Sequence, residues 1–98
     1  MSTLVEELVQ TETLEELLPK IILYNDDVNT FDHVIDCLIK YCKHESIQAE
    51  QCIVIAHNTG KCSIKQGDFM DMLEIQTLLV AKGLLVDLIN TNDEYRTV

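Results

Sequence analysis

Basic residues are scarce. Lys and Arg number 7 against 17 Asp and Glu, giving a formal net charge of −10 at pH 7 and a pI near 4.4. Phosphate backbones and anionic membrane surfaces need Lys and Arg to neutralise them, so this balance argues against nucleic-acid and membrane-surface partners. Long apolar runs are missing too: no stretch approaches the roughly 20 residues needed to span a bilayer. Residues 1–19 hold five glutamates and no basic residue, the reverse of the charged start of a signal peptide. The chain therefore reads as a cytoplasmic protein. The one proline, Pro19, and three glycines leave no linker inside 20–90, and there is no internal repeat or low-complexity tract.

Paired cysteines are absent as well. Cys37, Cys42, Cys52 and Cys62 form no Cys-x-x-Cys pair and suit the cytosol as reduced thiols. Cys37, Cys42 and Cys52 fall at core-facing helical positions, where they act as small hydrophobes. His33, Cys37, Cys42 and His44 are close in sequence, yet Cys42 follows Cys37 by five residues and lies off its helix face. No paired-ligand spacing appears, so neither zinc nor any other cofactor is implied. Asp26, Asp27 and His57 can be drawn as an acid–base set, but no Ser or Cys sits in a nucleophile motif, and the chain does not read as an enzyme.

What is present suits one small domain. Ninety-eight residues at 47% hydrophobic content can bury a single core. Leu4, Val5, Leu8, Val9, Leu14, Leu17 and Leu18 have helical spacing among glutamates, ended by Pro19. Residues 1–19 suit either an acidic N-terminal extension or a peripheral helix packed on the domain. Lys20–Tyr24 reads as a strand. A helix capped by Thr30 follows to about Lys43, burying Phe31, Val34, Ile35, Leu38, Ile39 and Cys42. Ser46 is the expected cap of a second helix whose apolar positions are Ala49, Cys52, Ile53, Ile55 and Ala56, stopped by Gly60.

Lys61–Lys65 is expected as a short strand. Asp68 is the expected cap of a third helix bearing Phe69, Met72, Leu73, Ile75, Leu78, Leu79 and Ala81, ended by Gly83. Leu84–Asn90 completes the set as a last strand, and 91–98 form a polar tail. The order is β-α-α-β-α-β: an α+β domain over 20–90, with a three-stranded antiparallel sheet packed against helices.

The segment 21–38 carries most of the functional information. An apolar β-branched run, Ile21-Ile22-Leu23-Tyr24, breaks on Asn25-Asp26-Asp27 and resumes as an amphipathic helix. Alternation in an extended chain points Asn25 and Asp27 the same way and Asp26 opposite. An amide oxygen and a carboxylate then converge on one spot, which suits a compact cation with several N–H donors. The plainer alternative is a strand-ending turn that caps the next helix.

Three elements together resemble the ClpS family, the adaptors of the bacterial ATP-dependent Clp protease that recognise N-end rule substrates. They are Ile-Leu-Tyr-Asn-Asp-Asp at 22–27, the helix Phe31-Asp32-His33-Val34-Ile35-Asp36-Cys37-Leu38, and Ala56-His57-Asn58-Thr59-Gly60-Lys61. The resemblance runs from about Lys20 to Lys61. It implies a ClpS-like fold, similar to the C-terminal domain of ribosomal stalk protein. It also implies a non-catalytic adaptor that binds proteins with a bulky hydrophobic first residue (Leu, Phe, Tyr, Trp) and hands them to the N-terminal domain of a ClpA- or ClpC-type AAA+ unfoldase. A non-catalytic interaction module of the same fold, serving another assembly, is the alternative.

In that resemblance Asn25, Asp27 and His57 hold the substrate's α-ammonium, with Asp26 beside them. A neutral imidazole can accept the third hydrogen bond through one ring nitrogen. The matching pocket positions are Asn29, Phe31, Val34, Ile53, Ala56 and Leu84. Two departures stand out: Phe31 occupies the place of a gating Met, and Asn29-Thr30 replaces the family's Thr-Pro. Between Lys61 and Leu84 the chain is also shorter than better-known members, and it lacks their Glu and Lys pattern at the start of the third helix.

Overall fold

The computed structural model describes residues 18–90. The expected acidic extension over 1–19, apart from Leu18 and Pro19, and the expected tail over 91–98 lie outside the described residues. The element order is β1 (Lys20–Tyr24), α1 (Phe31–Cys42), α2 (Ser46–Thr59), β2 (Lys61–Gln66), α3 (Phe69–Ala81) and β3 (Val86–Ile89). The sheet is antiparallel with β1 in the middle, order β2-β1-β3. Ile21 and Leu23 on β1 meet Leu88 and Val86 across β3, and this face receives the helices. On the β2 side the pairing passes from Ile21–Lys65 to Ile22–Ser63, skipping Ile64. An extra residue of this kind re-aims a side chain, and Ile64 is buried in the core.

Thr30 starts α1 as its sequence suggests, accepting the His33 N–H at 3.1 Å on its hydroxyl. Val34, Cys37, Leu38 and Cys42 form the buried stripe. Phe31 and Ile39, expected in the core, are instead 47% and 38% exposed. Ile39 lies about 100° round the helix from Leu38, whereas Phe31 is on the Leu38 side but in the first turn, where it lines an open cavity. Lys43 closes α1 in the left-handed region at φ 62°. The Lys65 ammonium then meets the Cys42 carbonyl at 3.2 Å, one of the acceptors that a helix end leaves unpaired.

Ser46 is not the cap of α2. The Ala49 N–H reaches the Glu45 carbonyl at 3.0 Å, so the ladder begins one residue earlier, and Glu45 caps through its backbone without a side-chain bond. Ala49, Cys52 and Ala56 are buried, whereas Ile55, expected among them, faces solvent. Gly60 ends α2 at φ 99°. Asp68 holds the cap position of α3, but its side chain makes no capping bond. Met72 and Leu79 are the buried positions of that helix, while Phe69, Leu73 and Leu78 are more than a third exposed, since only one narrow side of α3 meets the core.

The last strand is shorter than expected. Leu84 donates its N–H to the Leu79 carbonyl at 3.1 Å and is buried ahead of the ladder, which starts at Val86. His44 is the one buried polar side chain of the described core. Its Nε2 lies 2.6 Å from the Ile64 carbonyl, an acceptor only, so that nitrogen carries the proton. No helix among the described residues is long and apolar enough to cross a membrane.

Candidate functional site

β1 ends at Tyr24, and the chain does not continue extended. The Tyr24 N–H donates to Leu85 O and the next N–H, that of Asn25, donates to Gly60 O, each at 3.0 Å. The end of the middle strand is thereby held from both sides. Asp26 then folds back on the turn. One carboxylate oxygen accepts the Val28 N–H at 2.7 Å and the Asn29 N–H at 3.3 Å, and the other accepts the Asn29 side-chain amide. The Asn29 side chain, followed by the Val28 backbone N–H, holds the Asp26 carboxyl below the usual carboxylate range. The same Asn29 amide donates to Gly83 O at 2.8 Å. His33 adds a second tie to that loop, its Nε2 lying 2.8 Å from Lys82 O.

This turn and one side of α2 enclose a cavity of about 340 Å³. That volume is at the small end of ligand sites, roughly 300–1,000 Å³. Its apolar wall includes Leu23, Phe31, Val34, Ile53, Val54 and Ala56, and its polar edge is Asn25, Asp26, Asn29 and His57, with Tyr24 beside them. Among the described residues, the side chains of Asn25 and His57 have no hydrogen-bond partner. They and one carboxylate edge remain able to accept bonds from a bound cation.

Most of the expected site residues therefore come together, and two do not. Asp27 is exposed and lies outside the lining. The alternation that paired it with Asn25 needs an extended strand, and the Asp26 turn interrupts that strand. Leu84 is also outside the lining, because it is buried between α3 and the start of β3. Val54 was not anticipated. The available signal was its position three residues before His57, one turn back on the same helix side. Asn29 lines the cavity as expected, but its amide is committed to Asp26 and Gly83 O, which makes it the strut of the turn. Among the described residues no cluster of His, Cys, Asp or Glu could hold a metal ion.

A model of the family described as "ATP-dependent Clp protease adaptor protein ClpS" matches residues 15–87. The chain belongs to the ClpS family. Three curated relatives are named ATP-dependent Clp protease adapter protein ClpS. The Synechocystis sp. protein is 54% identical over 33 residues, 32% of this chain and 34% of the relative. Those of Shewanella pealeana and Shewanella piezotolerans are 37% and 35% identical over 57 residues, 58% of this chain and 56% of each relative. The matches thus span from about a third to just over half the length of these ClpS relatives.

Proposed function

We propose that this chain is a non-catalytic adaptor of the cytoplasm. It binds proteins with a bulky hydrophobic first residue through their free α-amino group, and delivers them to a ClpA- or ClpC-type Clp unfoldase for degradation. The observation that carries the reading is an apolar cavity of about 340 Å³ whose polar edge is Asn25, Asp26 and His57. An α-ammonium offers three N–H donors and a charge that must be met when water is displaced. An ionised carboxylate has about four acceptor positions. The turn occupies three of those on Asp26, leaving one, with the charge, for the ligand. The Asn25 amide oxygen and a His57 ring nitrogen supply the other two acceptors. Phe31, Val34, Ile53 and Ala56 surround the first side chain, and Asp27 adds negative charge from outside. Delivery to the unfoldase is supported by membership of the family and by the relatives' shared name.

The test is titration with Leu- or Phe-initiated peptides carrying free or acetylated N-termini. Acetylation removes the charge and two donors, so binding should be lost. Asp26→Ala should weaken binding by about 1.5–3 kcal/mol or more, the value of a charge-assisted hydrogen bond, and Asp27→Ala by less. Equal affinity for free and acetylated peptides would sink the reading.

A further inference from the structure

The solvent side of α2 carries apolar side chains that folding does not use. Ile47, Val54 and Ile55 are 65%, 51% and 46% exposed. With Glu50 and Gln51 they bound a shallow groove of about 300 Å³. A surface helix ordinarily turns polar residues to water, and an apolar stripe left outside marks a contact surface. Val54 belongs both to this groove and to the site cavity, so the apolar surface runs without interruption from one to the other. Residues 57, 54, 50 and 47 share one side of the helix. From His57 to Ile47 is roughly 15 Å at 1.5 Å per residue, the reach of about four or five extended residues.

We infer that this stripe is a second substrate subsite. The peptide that follows a bound first residue runs along α2 and sets apolar side chains from its second to fourth positions against Val54, Ile55 and Ile47. The inference rests on the cavity being the first-residue pocket. Continuity through Val54 favours the substrate as occupant. A second copy of this chain would bring Glu50 against Glu50 between bodies that each carry a formal charge of −10, a like-charge approach that costs affinity. Glu50 likewise disfavours acidic substrate residues at these positions.

The experiment compares Leu-Leu-Ile-Val-, Leu-Gly-Ser-Gly- and Leu-Glu-Glu-Gly-initiated peptides by fluorescence anisotropy, each with a free and an acetylated N-terminus. The proteins are the full chain, Ile47→Asp and the milder Ile47→Gln, with circular dichroism to verify folding and sedimentation velocity to follow self-association. The apolar-tailed peptide should bind the parent about tenfold tighter than the Gly-Ser one, the discrimination an apolar surface supports, and the acidic-tailed one weakest. Either Ile47 substitution should shrink the tenfold gap while leaving the Gly-Ser peptide's affinity unchanged. Equal affinity for apolar and Gly-Ser tails, with acetylation still abolishing binding, overturns the subsite and leaves the pocket standing. Binding indifferent to acetylation overturns both. A dimer that Ile47→Asp disperses assigns the stripe to a second copy and overturns the inference.

Discussion

α1 and α2 lie side by side over the same sheet and differ in what they bury. Each leaves apolar residues part-exposed, Phe31 and Ile39 on α1 among them. α1 buries Val34 and the fully enclosed Leu38 and turns Asp32, Asp36 and Lys40 to water. α2 buries only Ala49, Cys52 and Ala56 and turns Ile47, Val54 and Ile55 outward. Small inward residues let a helix lie close to its neighbours, and they leave little cavity-forming volume to lose. The difference separates a helix that holds the domain together from one that is held by it and presents a surface.

The sharpest way to break this contrast is to remove one apolar side chain from each helix. Leu38→Ala should cost about 2–5 kcal/mol in urea denaturation, the range for a fully buried leucine. Ile47→Ser should stay within about 0.5 kcal/mol of the parent. Similar losses for the two would show that α2's outer residues belong to the core after all.

The inward sides, by contrast, should behave alike. Burial pushes the Cys42 thiol of α1 up to about 11, and burial together with neighbouring Cys62 pushes the Cys52 thiol of α2 up to about 12. In the unfolded chain both ionise near 9. A raised pKa contributes stability that is complete below the unfolded value and disappears as pH climbs through the folded one. The denaturation midpoint should therefore hold up to about pH 9 and fall between there and 11–12. At pH 8, iodoacetamide should label half-buried Cys62 well before Cys42 or Cys52, read by peptide mass spectrometry. Fast labelling of Cys52 would mean that α2 is not packed inward as tightly as α1.

The helix ends give the smallest effect. Both helices stop in the left-handed region, α2 on Gly60 at φ 99° and α1 on Lys43 at φ 62°. Lys43→Gly should relieve backbone strain and stabilise by up to about 1 kcal/mol, while Gly60→Ala should destabilise by about as much. A Cβ on Gly60 would meet nothing within 4 Å, so that cost is one of backbone conformation alone. Thermal melts of the two variants shifting in the same direction would contradict this account.

Much of the fold was legible because local chemistry and packing agree. Lys20–Tyr24 is a β-branched run and forms β1; Thr30 caps α1, and Gly60 and Gly83 end α2 and α3. Sequence patterning failed where a side chain's direction depended on a bond it makes. Asp26 bonds its own turn, which ends the alternation and puts Asp26 rather than Asp27 at the cavity. Ile55 looks like core by hydrophobicity alone but lies on the side of α2 turned to solvent, while Phe31 is on the inward side of α1 but in its first turn, where it lines the cavity. The resemblance implies Leu84 in the pocket, whereas the structure buries it outside the lining, its backbone bonded to Leu79. Val54 carries little signal in the sequence, because a valine on a helix is ordinary until its neighbour is a cavity.

The middle position of β1 has a mechanical consequence. Under the proposed function, a chain gripped by its first residue and drawn away would load the domain at the turn after Tyr24. That load enters the sheet through the strand bonded to β2 on one side and β3 on the other. Release of β1 breaks the ladders to both β2 and β3, whereas release of either edge strand breaks one. The amides of Tyr24 and Asn25, tied to Leu85 and Gly60 in opposite directions, are where that tension divides.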